Sequence, residues 1–128
     1  METRRRTIVY IEDEPGMIEL MDLILRRQGL ELIGATDGVA GLQAIRRVKP
    51  DMVLLDLMLP GMDGWEVYRQ IRADSDLRDT PVAVVTARCS PIDKVLALYI
   101  AKVQEYITKP FSLRELTDSL AKYLGPLD

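Results

Sequence analysis

Five short apolar runs punctuate the chain: "TIVYI" (7–11), "ELIGAT" (31–36), "MVLLD" (52–56), "PVAVVTA" (81–87) and "EYITKPF" (105–111). Between them, apolar residues recur every three or four positions, the spacing of one helix face. "GMIELMDLILRRQG" predicts a helix that stops at Gly29. In "DGVAGLQAIRRVKP", Val39, Leu42 and Ile45 form the apolar stripe and Asp37 is the expected N-cap. "GWEVYRQIRA" is preceded by Asp63, which with Glu66 has the spacing of a capping box. Ser90, Pro91 and Asp93 supply an N-cap, a first-turn proline and an N3 acid for the next helix. "SLRELTDSLAKYLG" closes the series, with Leu113, Leu116, Leu120 and Leu124 expected on one side.

Five βα units in a row, with no linker, repeat or low-complexity segment, predict an α/β fold with a five-stranded parallel sheet covered on both faces. Right-handed crossovers then give a doubly wound sandwich, in which ligands sit at the carboxyl ends of the strands. The 128 residues suit one domain, 1–128, with its core at about 7–124.

Composition narrows the function classes. A content of 48% hydrophobic and 29% charged residues fits a soluble globular chain. No apolar run approaches the roughly 20 residues of a membrane span, and the N-terminus lacks a signal-peptide apolar region and cleavage site. The lone Cys89 cannot form an internal disulfide, which fits a reducing cytoplasm; a cytoplasmic location is expected. A net charge of −3 argues against direct nucleic-acid binding. Besides the cluster Arg4 to Arg6, the basic groups Arg26 with Arg27, and Arg46, Arg47 and Lys49, fall where helices should end, complementing their dipoles. Histidine is absent altogether, which removes the commonest general base and transition-metal ligand. A metal here would be held by oxygens, favouring magnesium, manganese or calcium.

The candidate chemistry lies where the strands end. The first run delivers Glu12 and Asp13, the third Asp56, the fourth Thr86, and the fifth runs into Lys109. Each alone has an ordinary reading: a cap, a β-branched strand residue, a surface lysine. As a set at one sheet edge they do not. Crowded carboxylates repel unless a cation intervenes, and a magnesium ion with its oxygen ligands would serve. Lys109 offers a compact charge and Thr86 a hydroxyl to phosphate oxygens. Gly61, Asp63 and Gly64 read as turn chemistry.

"VYIEDEPGM", "PDMVLLDLMLPGMDG", "VVTAR" and "YITKPF", in this order and covering about 7–124, closely resemble the phosphoacceptor receiver domain of bacterial two-component response regulators. The resemblance implies a flavodoxin-like (βα)5 sandwich with strand order 2-1-3-4-5. It makes Asp56 the phosphoacceptor and Asp13 a direct magnesium ligand, with Glu12 acting through water and Met58 giving its backbone carbonyl; manganese is an alternative ion. Thr86, the Ala87 backbone N–H and Lys109 would bind the phosphoryl group. Tyr106 would be the switch aromatic, and the Lys109–Pro110 bond is often cis in the family. The phosphodonor would be a sensor histidine kinase or a phosphotransfer protein. Such a domain is not an enzyme in the ordinary sense, although it assists its own phosphorylation and dephosphorylation. The face of the fourth helix, fifth strand and fifth helix would control an output domain or downstream protein, with a phosphorylation-dependent homodimer as one form of output.

Two departures stand out. "LYIAKVQEY" lacks the glycine that usually ends the fourth helix and carries one extra residue, so the helix is expected to run on or its connection to be rearranged. Tyr99, Ile100 and Val103 make this stretch unusually apolar, either as core or as a docking patch. Ser119 stands where dimerising transcription factors of the family carry an arginine. Met58 and Arg88 flank the site at positions the family uses to tune dephosphorylation. Competing readings are weaker. A magnesium-dependent phosphatase of the haloacid-dehalogenase type needs a second acid at Met58, and the acidic "EDEPGM" would repel the phosphate of a flavin.

Overall fold

The computed structural model describes residues 6–88 and 90–127; Arg4, Arg5 and Cys89 lie outside the described residues. The elements are β1 (Arg6–Ile11), α1 (Pro15–Arg27), β2 (Leu30–Ala35), α2 (Gly38–Val48), β3 (Met52–Leu55), α3 (Gly64–Ala73), β4 (Val82–Thr86), α4 (Pro91–Val95), β5 (Glu105–Thr108) and α5 (Leu113–Leu124). The strands form one sheet in the order β2-β1-β3-β4-β5, and every pairing is parallel. The expected architecture is therefore present.

Side chains alternate across each strand, so the sheet feeds two cores. Val9, Ile11, Val53, Leu55, Val82 and Val84 pack with residues of α2 and α3 and with Ala97. On the other face, Tyr10, Leu54 and Val85 join Met21 and Leu25 of α1 and Leu116 and Leu120 of α5. Central strands buried on both sides must be apolar throughout, which is why they read as unbroken runs.

Several local expectations are corrected. Val39 and Leu113 do not join the buried stripes expected of them: both are more than half exposed, and those stripes begin one turn later, at Leu42 and Leu116. Asp63 caps α3 by accepting from the Trp65 N–H at 2.8 Å, but Glu66 turns to Arg69 and Gln70, so no capping box forms. The box is instead at α5, where Ser112 and Glu115 satisfy each other's backbone N–H. Ser90 makes no side-chain cap, whereas Asp37 accepts from Ala40 N–H at 2.8 Å as expected. β5 stops at Thr108, because Pro110 has no N–H to extend the ladder.

Of the two outcomes expected for the fourth helix, the structure shows a rearranged ending. α4 makes little more than one α-turn and continues as a π-helical stretch, Leu96–Ile100. The N–H of Ala101 bonds Leu96 O at 2.8 Å, and that of Val103 bonds Ala97 O at 2.9 Å. These wide turns take up one residue more than an α-helical ending. Lys102 (φ 61°) adopts the left-handed conformation that suits glycine. Of the apolar trio, Val103 is buried, while Tyr99 and Ile100 are exposed.

Candidate functional site

Strand order and register bring the polar strand ends together. β1 and β3 pair Ile11 with Leu55, and the Asp56 N–H continues to Ile11 O at 3.1 Å. Glu12 and Asp56 thus leave the sheet side by side. β4 and β5 pair Thr86 with Thr108, and the Lys109 N–H bonds Thr86 O at 2.8 Å. Gly64 closes the floor of this edge: a Cβ there would lie 2.6 Å from Leu57 Cα and 2.7 Å from Asp56 O. Glycine is what lets α3 start so close to the strand end, after a turn in which Gly61 (φ 76°) is left-handed.

Asp56 is only 4% exposed and Glu12 1%, yet both carboxylates are fully engaged. Asp56 Oδ1 accepts from the Met58 N–H at 2.9 Å and Oδ2 from Lys109 Nζ at 2.8 Å. Lys109 Nζ also donates to Glu12 Oε1. That oxygen accepts in addition from the Tyr10 hydroxyl at 3.1 Å, while Glu12 Oε2 accepts from the Glu14 N–H at 3.2 Å. The carboxylate that interrupts an apolar run is tolerable because a cation and a backbone donor wait for it.

Burial alone would lower the Lys109 pKa. The hydrogen bonds and charges of Asp56 and Glu12 outweigh it and hold the ammonium above the usual lysine value. Burial, reinforced by the negative charge of Glu12, pushes the Tyr10 hydroxyl far above the ordinary tyrosine value. One ammonium against the carboxylates of Glu12 and Asp56 leaves the site net negative, and Asp13 joins the cluster from the exposed side. Carboxylate oxygens of Glu12, Asp13 and Asp56 all lie within 4.8 Å of one another. An all-oxygen set with one edge open to water suits a hard divalent cation that keeps part of its hydration shell.

The other expected residues fall around this cluster. Thr86 is fully buried, and its hydroxyl accepts from the Arg88 N–H at 3.4 Å. Tyr106 is half-buried and donates to Arg88 O at 2.9 Å, so its hydroxyl is not simply in water. Ala87 and the Met58 side chain are exposed beside the site, and the Lys109–Pro110 bond is cis.

A family model described as "Response regulator receiver domain" matches residues 8–121. The chain is a response regulator receiver domain. It is 40% identical over 116 residues to the DNA-binding response regulator MtrA of Mycolicibacterium smegmatis, covering 91% of this chain and 49% of that protein. The Mycobacterium tuberculosis sensory transduction protein RegX3 is 46% identical over 110 residues, covering 86% and 47%. The chain spans about half the length of these curated relatives. Among solved structures, the receiver domain of a LuxO repressor protein from Vibrio parahaemolyticus aligns with TM-score 0.85 at 27% identity, covering 94% of this chain and 91% of that one. Vibrio cholerae CheY4, at 23% identity and TM-score 0.86, shares the fold, covering 94% of this chain and 100% of its own. The phosphatase reading finds no support in these relatives. No helix among the described residues is long and apolar enough to cross a membrane.

Two features of this receiver domain escaped the sequence. Tyr10 reads as one more apolar residue of a buried strand; only its hydroxyl, odd in "TIVYI", hinted at a polar partner. An apolar groove of about 510 Å³, walled by Met17, Leu20, Ile24, Phe111 and Leu113, opens beside Lys109. It forms from residues of α1, the β5–α5 loop and the start of α5 that are distant in sequence.

Proposed function

We propose that Asp56 takes a phosphoryl group from the phosphohistidine of a sensor histidine kinase or phosphotransfer protein. The P–N bond of the donor breaks and a P–O bond to an Asp56 carboxylate oxygen forms. One observation carries this reading: Asp56 is buried on all sides but one, where Glu12, Asp13 and Lys109 converge. Magnesium or manganese, held by Asp13, Asp56 and the Met58 carbonyl with Glu12 through water, would supply positive charge to the phosphoryl oxygens. Lys109 pairs with one phosphoryl oxygen, and the Thr86 hydroxyl and Ala87 N–H donate to others. The protein positions and neutralises the group, and the same arrangement assists its own phosphorylation and later hydrolysis.

Thr86 then turns toward the phosphoryl group, and Tyr106 gives up Arg88 O to follow it inward. Only the phosphorylated state rewards this arrangement, so the population shifts. The face of α4, β5 and α5 carries the change to an output domain or a partner, and a homodimer through it is one form of output. The apolar groove beside Lys109 suits an apolar helix of the phosphodonor, and the whole cycle belongs in the cytoplasm. Incubation with acetyl phosphate and magnesium, followed by intact mass spectrometry, tests the core of this reading. The wild type should gain one phosphoryl group and Asp56→Asn none. An adduct of equal yield on the variant would overturn Asp56 as the acceptor.

A further inference from the structure

β1 carries a tyrosine where its neighbours are Ile8, Val9 and Ile11. Tyr10 has no exposed surface and packs in the core shared with α1 and α5. Phenylalanine would fill the same space without burying a hydroxyl that needs a partner. The hydroxyl has one: Glu12 Oε1, at 3.1 Å. That oxygen is also the one held by Lys109, which holds Asp56 as well.

This arrangement has a consequence once Asp56 carries a phosphoryl group. Lys109 must then share its three protons with a phosphoryl oxygen as well, and its hold on Glu12 Oε1 weakens. A carboxylate 1% exposed cannot turn to bulk water for a replacement, and a metal-held water would add a neutral donor in place of a charged one. The Glu14 N–H serves only the other oxygen, Oε2. We propose that Tyr10 is a positioning residue, whose hydroxyl keeps Glu12 satisfied and in place while Lys109 is engaged with the phosphoryl group. The inference rests on the phosphoacceptor reading above. The Tyr10 bond matters most when the lysine is drawn toward the phosphoryl group, because a hydrogen bond to an anion strengthens as other donors withdraw.

Calorimetric titration of the full chain separates the two states: magnesium first, then beryllofluoride, a phosphoryl mimic, at saturating magnesium. Tyr10→Phe should bind beryllofluoride about three- to tenfold more weakly, because a bond already present at 3.1 Å contributes only its strengthening in the occupied state. Its affinity for magnesium alone should change less than about twofold, since Lys109 still holds Glu12 in that state. In a Glu12→Gln background the same substitution should cost little, because the two side chains act as a pair. In the wild type, the ¹³Cζ resonance of Tyr10 should move when beryllofluoride is added to the magnesium-saturated protein, a readout that does not depend on a variant folding. Equal loss of magnesium and beryllofluoride affinity in Tyr10→Phe, no loss of either, or an unmoved Tyr10 resonance overturns the inference alone. A wild type that binds no beryllofluoride overturns the phosphoacceptor reading, and this inference with it.

Discussion

Replacing Lys109 with methionine keeps most of the stem and removes the cation on which Asp56 and Glu12 converge. The lysine side chain is 19% exposed and the two carboxylates 6% and 2%, so this is a buried cluster rather than a surface ion pair. Removing one partner of a buried pair typically costs about 3–5 kcal/mol, because the other charge stays buried. Here each carboxylate keeps other donors: Met58 N–H on Asp56, and Tyr10 and Glu14 N–H on Glu12. The expected loss is therefore at the low end, about 3 kcal/mol. For a domain of this size that corresponds to a melting temperature lower by about 12 °C, measured with a chelator present. Magnesium should narrow the gap, since the variant's uncompensated site attracts the ion more strongly. Binding about tenfold tighter would return about 1.4 kcal/mol at saturation. In an Asp56→Asn background, Lys109→Met should cost less, the mark of direct coupling. Urea unfolding of the four proteins, with and without magnesium, checks all of this. Equal stability of wild type and Lys109→Met in chelator, or a gap that widens with magnesium, would mean that Lys109 does not neutralise the buried carboxylates.

Thr86→Ala should still let beryllofluoride bind Asp56 but should abolish the accompanying chemical-shift change at Tyr106; a wild-type change at Tyr106 in this variant would sink the switch assignment. Lys102→Gly should raise stability by about 1 kcal/mol in urea unfolding, by relieving a left-handed lysine; a loss would mean the side chain, not the backbone, governs that turn. Stability should also fall as the medium becomes alkaline. Tyr10 and Lys109 both titrate higher in the folded chain than their ordinary 10.0 and 10.5, so the stability they add is present below those values and lost as pH rises through the folded ones. Urea midpoints between about pH 8 and 11 should drop less for Tyr10→Phe and for Lys109→Met than for the wild type.

The sheet was legible because parallel strands buried on both faces must be apolar from end to end, and a carboxylate or lysine then marks where each one stops. Helix faces were less so. Val39 and Leu113 fit their stripes by spacing, but both lie in the first turn, where the helix has not yet reached the sheet. The two capping patterns show why local spacing is insufficient. Asp63–Glu66 and Ser112–Glu115 have the same separation. Arg69, one turn on, draws Glu66 into a bidentate pair and holds its carboxyl down to about 2, leaving no oxygen for the backbone. At the site, the convergence of Asp56, Glu12, Asp13, Thr86 and Lys109 followed from strand order alone. That Lys109 bridges Glu12 and Asp56, and that Tyr10 completes Glu12, depends on side-chain reach across the edge and left no sequence spacing to read.

The same sheet holds α4 very unequally at its two ends. The C-terminal end is pinned: the Tyr68 hydroxyl donates to Ala101 O at 2.5 Å, and Gln104 Oε1 accepts from the Val82 N–H at 2.7 Å and from Arg72 at 3.0 Å. Arg72 also bonds the carbonyls of Arg78 and Thr80 and stacks on the Tyr68 ring. Between Pro91 and Ile100, by contrast, Ala97 is the one buried residue, and Ile92, Val95, Leu96, Leu98, Tyr99 and Ile100 are exposed. A segment with so little buried apolar surface rearranges at low cost, while its anchored end costs several hydrogen bonds to move. The π-helical stretch, Leu96–Ile100, is the second half of the exposed segment and runs into the anchored end. A connection without a glycine thus keeps its anchor at Ala101 and Gln104 and leaves the apolar helix before it as the least constrained part of the α4–β5–α5 face. On the proposed phosphorylation of Asp56, only that short segment would have to rearrange for the change to reach the surface of the domain.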